Sequence, residues 1–214
     1  MLNAQRPAIG FDLDGVICRP PFGINFAIRR GLRGRPLPTA FSWKGGAPPR
    51  GRFLRMGLEV LRFAGRRPMP DAAAGLRAVV ELRRPLLVTG RSVLGQALLE
   101  RWLERHDLRQ YFAEVLPNPT ALTGPQYKLW TARTRGLREH VDDDGATVYY
   151  LALHGVHRVY LRDWPRNRGL PYPPSVQVIR SLEELAEHLA CCDQEVSTAG
   201  GNPPVAGDDV DPVP

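Results

Sequence analysis

The chain has few cysteines and no long apolar run, and both absences narrow the class of protein. Its 214 residues include three cysteines, Cys18 and the adjacent Cys191 and Cys192, whose spacing fits neither a disulfide framework nor a metal site. No run approaches the roughly 18 apolar residues that a membrane span requires. The stretch before Asp12 also lacks the apolar region of a signal peptide. With 43% hydrophobic residues, we expect a cytoplasmic protein with one substantial core.

Acidic residues are scarce between residues 19 and 69, where eleven arginines and one lysine accompany Glu59 alone. Phe53, Met56 and Val60 recur there at helical spacing with arginines between them, which predicts an amphipathic helix with a basic face. We interpret 19–69 as a partly helical, basic insertion. Its charge would attract a phosphorylated metabolite, nucleic acid or an acidic membrane surface. A solvated, arginine-rich surface would have the same composition.

Basic residues are absent from 191–214, where the charge is entirely acidic. The segment is rich in glycine, proline and aspartate and has too little apolar content to order a chain. We therefore predict a disordered acidic C-terminal tail over 191–214.

Short apolar runs alternate with helical patterns through the rest of the chain. We predict strands over 7–12, 86–88, 113–116, 159–161 and 176–179. We predict helices over 72–82, 94–103, 126–138, 148–155 and 181–190. Strands that alternate with helices are typical of α/β proteins with a parallel sheet, so we assign the core domain to 1–18 and 70–190.

Polar side chains follow three of the apolar runs. Asp12 and Asp14 come at the end of the first strand, Thr89 at the end of the second, and Asp142 and Asp143 after a short run near Val141. The carboxyl ends of parallel strands meet at one edge of a sheet, where α/β proteins bind their ligands. We therefore expect these groups to converge.

The chemistry of this set suits phosphoryl transfer. Carboxylate oxygens are the ligands that Mg²⁺ prefers, and the Thr89 hydroxyl, the Lys128 ammonium and free backbone N–H groups suit phosphoryl oxygens. One carboxylate can attack phosphorus to form an aspartyl-phosphate. A second acid can protonate the leaving oxygen and then activate water.

In sequence order, Asp12-Leu13-Asp14-Gly15-Val16, Thr89, Lys128 and Asp142-Asp143 resemble the four motifs of the haloacid dehalogenase-like hydrolases. The resemblance covers about 7–18 and 70–190. It implies a Rossmann-like core with helices on both sides of a parallel sheet, and it makes 19–69 the small cap inserted after the first motif.

The resemblance also implies a role for each matched residue. It makes Asp12 the nucleophile and Asp14 the general acid and base. The implied phosphate-binding residues are Thr89, Gly90 and Lys128. The implied Mg²⁺ ligands are Asp12, the backbone carbonyl of Asp14, Asp142 and Asp143. Dehalogenases of the family lack the second aspartate of the first motif, so Asp14 favours a phosphatase.

Other residues near these motifs have two interpretations. Asp144 follows the metal pair directly, and we interpret it as a helix cap rather than a ligand. Arg91 could contact substrate or lie on the surface, and Trp164 and Asn167 could line the site or only shape their loop. We interpret the five histidines as structural or solvent-facing.

The expected function is a Mg²⁺-dependent phosphomonoester hydrolase that acts on a small phosphorylated substrate. The stretch Asp163-Trp164-Pro165-Arg166-Asn167 resembles the deoxyribonucleotidase-related branch, which implies a nucleotide or a related metabolite. The alternative is a non-catalytic or weakly catalytic protein of this fold that binds nucleic acid or an acidic membrane surface through 19–69. A third possibility passes the phosphoryl group to an acceptor other than water.

Overall fold

Six parallel strands form the centre of the fold. The computed structural model describes residues 5–20, 63 and 65–199. The strands are β1 (Ala8–Phe11), β2 (Arg84–Ser92), β3 (Glu114–Asn118), β4 (Glu139–Asp142), β5 (Arg158–Arg162) and β6 (Val176–Ile179). They are ordered β3-β2-β1-β4-β5-β6, so β2 and β4 lie on either side of β1. The chain changes direction across the sheet there, which is the position where such sheets bind ligands.

Helices cover both faces of the sheet. They are α1 (Ala72–Val79), α2 (Gln96–Arg105), α3 (Gly124–Arg135), α4 (Gly145–Leu153) and α5 (Leu182–Ala199). Leu87 packs with side chains of α1, α2 and α5, whereas its neighbours Leu86 and Val88 pack with α3 and α4. Successive side chains of a strand point to opposite faces, so a continuous apolar run is what a sheet buried on both sides requires. The predicted α/β sheet is confirmed. In the described ranges, no helix is both long and apolar enough to span a membrane.

Strand β4 was not among the predicted strands, and two element ends differ most from the prediction. β2 continues beyond Val88 to Ser92, because Ser92 pairs with Asn118 after an irregularity that follows Thr89. Its hydroxyl then accepts a hydrogen bond from Leu94 N–H at 3.3 Å and starts the next helical turn.

The last helix, α5, also extends farther than predicted. It passes Ala190 and continues to Ala199, so the predicted disorder is wrong for 191–199. The Asp193 carboxylate accepts hydrogen bonds of 2.7 and 2.8 Å from Arg83, which also pairs with Glu139 at 2.6 Å. An ion pair thus joins this polar segment to the sheet. The rest of the predicted tail, 200–214, lies outside the described residues.

The predicted insertion leaves and rejoins the core beside the end of β1. Arg19 N–H donates to the Arg67 carbonyl at 2.9 Å, and Met69 N–H donates to the Ile17 carbonyl at 2.8 Å. The two connecting segments therefore lie next to each other. The predicted amphipathic helix lies outside the described residues.

Candidate active site

The carboxyl end of β1 carries the first site residue, Asp12. Its N–H donates to the Val141 carbonyl at 2.9 Å, which joins the start of the loop to β4. The chain then turns at Gly15, where φ is +76°, a conformation that favours glycine. A Cβ at Gly15 would collide with the Asp143 carboxylate. Glycine thus allows the loop after β1 to approach the end of β4 closely.

Lys128 lies buried between two aspartates. Its Nζ is 2.9 Å from Oδ1 of Asp12 and 2.6 Å from Oδ2 of Asp142. Carboxylate oxygens of Asp12, Asp142 and Asp143 all lie within 4.8 Å of one another. The structure therefore brings together four of the residues that the sequence singles out.

The start of α3 positions Lys128. Gln126 accepts a hydrogen bond from Thr123 N–H at 3.1 Å at the beginning of this helix. A Cβ at Gly90 would lie 3.0 Å from the Cα of Gly124. The two glycines therefore allow the helix to begin against the end of β2, and its second turn brings Lys128 to the sheet edge.

The buried charges of Asp12, Lys128 and Asp142 shift one another's pKa. Burial raises the pKa of Asp12, and the nearby Asp142 and Asp143 raise it further, although Lys128 opposes them. Burial would lower the pKa of Lys128, but the carboxylates of Asp12 and Asp142 have the larger effect and raise it. Burial also acts against ionised Asp142, but Lys128 and His140 lower its pKa below the usual value.

These residues fit a divalent cation. Asp12, Asp142 and Asp143 provide three buried carboxylates, which are hard oxygen ligands of the kind that Mg²⁺ selects. Lys128 pairs with Asp12 and Asp142, and Arg166 pairs with Asp143. Carboxylates this close repel one another, and a metal ion bound between them would offset that repulsion.

The Asp14 carboxylate faces a different set of partners. Asp12 and Asp14 would point the same way if the strand continued through both residues. Strand β1 ends at Phe11, so this alternation does not apply to them. Arg91 donates to both oxygens of Asp14 at 2.7 Å, and Nη1 of Arg66 lies 2.5 Å from Oδ1. Burial would raise the pKa of Asp14, but the two guanidiniums lower it.

The Asp14 carboxylate is therefore absent from the metal-ligand cluster found among the described residues. The ligand that the resemblance implies at Asp14 is its backbone carbonyl, and that remains a prediction.

Thr89 is buried beside this arginine pair. Its side chain is fully enclosed, and its hydroxyl accepts a hydrogen bond from Arg91 N–H at 3.3 Å. Thr89 pairs with Pro117 in the sheet, just before the irregular part of β2. The hydroxyl therefore lies at the same edge of the sheet as the carboxylates.

The loop after β5 encloses Asp143. Arg166 donates to its carboxylate at 2.9 Å and to its carbonyl at 2.6 Å, and Asn167 donates to the same carbonyl at 2.9 Å. Trp164 donates from Nε1 to the Gly15 carbonyl at 3.1 Å. Trp164 and Asn167 thus contact the site. No role was predicted for Arg166, although the sequence stretch that contains it was noted.

Comparisons with known proteins identify the fold. No protein-family model and no curated protein matches the chain. Solved structures do match. A predicted phosphoglycolate phosphatase from Haemophilus somnus 129pt is 15% identical, with a TM-score of 0.53 over 86% of this chain and 98% of that one. L-2-haloacid dehalogenase from Xanthobacter autotrophicus is also 15% identical, with a TM-score of 0.54 over 87% and 99%. The chain has a haloacid dehalogenase-like fold.

Further neighbours agree with this fold. The HAD phosphatase from Thermococcus onnurineus is 17% identical, with a TM-score of 0.51 over 86% of this chain and 97% of that one. The predicted resemblance to a haloacid dehalogenase-like fold is therefore confirmed. The deoxyribonucleotidase-related branch stays a prediction.

Two further residues contact Asp142. Asp144 accepts hydrogen bonds from Thr147 N–H at 3.2 Å and from its hydroxyl at 2.7 Å, so it caps α4 as interpreted from the sequence. His140 is fully buried, with Nε2 3.4 Å from Oδ2 of Asp142. Burial lowers the pKa of His140, which favours a neutral ring next to that carboxylate. The sequence positions of His140 and Asp142 did not predict this contact between the ring and the carboxylate.

Proposed function

We propose that the chain is a Mg²⁺-dependent phosphomonoester hydrolase that works through an aspartyl-phosphate on Asp12. One observation carries this proposal: buried Lys128 bridges Asp12 and Asp142, and Asp143 completes a compact group of three carboxylates. Burying several carboxylates without a cation would destabilise the folded protein. A cluster that binds a cation and a phosphoryl group would explain why these carboxylates are buried together.

Asp12 supplies the nucleophile. Its carboxylate oxygen attacks phosphorus, and the bond from phosphorus to the leaving alcohol breaks. Asp14 donates a proton to the leaving oxygen, and then accepts one from the water that hydrolyses the aspartyl-phosphate. In the structure, Arg66 and Arg91 hold the Asp14 carboxylate, so these contacts must change before Asp14 carries a proton.

The remaining residues bind the phosphoryl group. Lys128, the Thr89 hydroxyl and the backbone at Gly90 lie around the end of β2 and the start of α3, where they offer donors to phosphoryl oxygens. Asp12, Asp142 and Asp143, together with the Asp14 carbonyl, would hold Mg²⁺. When bound, this ion would supply positive charge to the transferring phosphoryl group.

The proposed substrate class is a nucleotide or a related small phosphorylated metabolite. The basic composition of 19–69 and the stretch 163–167 support this class. The chain's neighbours include proteins described as a phosphoglycolate phosphatase and a β-phosphoglucomutase, which agrees with a small phosphorylated substrate.

A panel of phosphate esters tests the proposal. Wild-type protein should release inorganic phosphate from at least one nucleotide, sugar phosphate or aryl phosphate with Mg²⁺, and much less with EDTA. Asp12→Asn should abolish this release, by about 10⁴-fold or more, because the nucleophile is lost. Asp107→Asn, a surface change of the same type, should retain full activity. Equal activity of Asp12→Asn and wild type would contradict the proposed chemistry.

A further inference from the structure

We infer that His140 is a positioning residue for the proposed metal site. Its neutral ring donates from Nε2 to Oδ2 of Asp142 and holds that carboxylate in place when a cation binds. The inference rests on the proposed function, and it adds to the site a residue that acts through one of the proposed metal ligands.

The backbone determines where the His140 ring lies. His140 and Asp142 are two residues apart on β4, so their side chains project from the same face of the sheet. Gly10 on β1 pairs with His140, and a Cβ at Gly10 would collide with Nδ1 of the ring. The lack of a side chain at Gly10 therefore provides the space that the ring occupies. Nδ1 lies against β1, whereas Nε2 lies on the side of Asp142.

The His140 ring is fully buried without a well-formed hydrogen bond. Its side chain is 0% exposed, and neither ring nitrogen has a hydrogen-bond partner among the described residues. A buried polar group without a partner destabilises a protein, so an apolar residue would suit a purely structural position better. Nε2 lies 3.4 Å from Oδ2 of Asp142, slightly beyond the usual range of an N–H···O hydrogen bond. A small movement of either side chain would form that bond.

Three groups surround the Asp142 carboxylate. Lys128 donates to Oδ2 at 2.6 Å, and Asp144 N–H donates to Oδ1 at 3.1 Å. The His140 ring approaches Oδ2 from within the sheet face. Groups that hydrogen-bond a metal-binding carboxylate orient it, and they typically contribute about 10–100-fold to metal affinity or activity.

The charge of each partner decides which of them can stay on Oδ2. Lys128 is repelled by any cation that binds at these carboxylates, and it also donates to the phosphoryl group in the proposed function. Burial lowers the pKa of His140, so its ring is uncharged at pH 7 and is not repelled in this way. His140 is therefore the side-chain donor that remains on Oδ2 of Asp142 when a cation is bound.

Binding of Mg²⁺ to the metal-free protein tests the inference without any substrate. Isothermal titration calorimetry compares wild type with His140→Leu, which removes both ring nitrogens, and with His140→Gln, which keeps an N–H donor. We expect His140→Leu to raise the Kd for Mg²⁺ by about tenfold or more, and His140→Gln to recover at least part of the affinity. His157→Leu makes the same change at an exposed histidine and should leave the Kd unchanged.

The same titrations contain the results that would overturn the inference. An unchanged Kd in His140→Leu would show that Asp142 needs no donor from the ring. Equal losses in His140→Leu and His140→Gln would show that the ring only fills space. If wild-type protein itself binds no Mg²⁺, the proposed function is contradicted, and the inference falls with it.

The tautomer of the His140 ring gives a test that needs no variant. A neutral ring carries its proton on one nitrogen only, so Nε2 must be protonated if it donates to Asp142. A multiple-bond ¹H–¹⁵N correlation spectrum distinguishes the two tautomers in wild-type protein saturated with Mg²⁺. We expect the proton on Nε2. A proton on Nδ1 overturns the inference, even if the variants fail to fold.

Discussion

Lys128 is the residue on which the electrostatics of the site depend most. It is buried and contacts Asp12 and Asp142 at 2.9 and 2.6 Å. Burial of a lysine is unfavourable, and it is tolerated here because two carboxylates raise the pKa of Lys128. Those carboxylates depend on the lysine in turn, since a third, Asp143, lies next to them.

Removal of this lysine should destabilise the metal-free protein. We expect Lys128→Met to lower the free energy of unfolding in EDTA by about 3–5 kcal/mol, because it leaves buried carboxylates without their cation. Mg²⁺ should restore part of this loss and should stabilise Lys128→Met more than wild type. Urea unfolding with and without Mg²⁺ measures both effects. Arg180→Gln is the control, with a change below about 0.5 kcal/mol. A Lys128→Met protein as stable as wild type in EDTA would show that the lysine does not balance the cluster.

The sequence predicts some of these residues and not others, for a physical reason. Asp12 and Asp142 could be grouped because parallel strands bring their carboxyl ends to one edge. Lys128, which lies on a helix, was added from its order between the motifs and its fit to phosphoryl oxygens. Arg66 could not be selected, since it is one of eleven arginines in 19–69 and its spacing has no period. Its role depends on the return of the chain beside Arg19, a long-range contact that local pattern does not encode.

At the scale of helices and strands, one ion pair joins three elements. Asp71 directly precedes α1, a position where an aspartate commonly caps the helix. Its side chain makes no such hydrogen bond and instead accepts from Arg162 on β5 at 2.8 and 2.9 Å. It also accepts from Leu182 N–H at 2.8 Å, where α5 begins. Asp71 therefore caps α5, which is distant in sequence, and not α1, which follows it directly.

This network should make stability depend on pH. Burial would raise the pKa of Asp71, but hydrogen bonds from Arg162 and Leu182 outweigh burial and lower it. Because the pKa of Asp71 is lower in the folded than in the unfolded protein, its ionised carboxylate stabilises the fold above the unfolded-state pKa of about 4. This stabilisation is lost as the pH falls through the folded-state pKa of Asp71.

Asp71→Asn should therefore lower the free energy of unfolding by about 1–3 kcal/mol at pH 7. The difference from wild type should shrink steadily as the pH falls below about 4. Urea unfolding at a series of pH values measures it. A difference that stays constant from pH 7 to pH 3 would exclude Asp71 ionisation as its source.

The order of the elements and all of them except β4 were predictable, whereas their ends were not. The alternation of apolar strands and amphipathic helices predicted the parallel sheet, because a sheet covered on both faces must be apolar on both. The end of α5 was missed because Asp193 is held by Arg83 through charge, and composition alone indicates disorder there. Strand β2 was predicted too short because backbone pairing with β3 carries it past Gly90.

At the scale of the molecule, the sheet separates two groups of charges. Asp12, Asp142 and their partners lie at the carboxyl ends of the strands. Arg83 and Glu139 lie at the opposite ends of β2 and β4, where Arg83 also binds Asp193. The second group ties α5 to the sheet and contributes no residue to the site. A chain with a net charge of +7 thus holds a cluster of three buried carboxylates at one edge of its sheet.

The measurement that most directly tests the central claim is the detection of phosphate on Asp12 during turnover. Wild-type protein and Asp14→Asn are mixed with substrate and Mg²⁺ and quenched in acid, and the peptide that contains Asp12 is weighed by mass spectrometry. We predict that this peptide carries one added phosphoryl group, and that the group accumulates in Asp14→Asn because activation of water is impaired. Hydrolysis that proceeds with this peptide unmodified in both proteins, or with the phosphoryl group on another residue, would contradict the account.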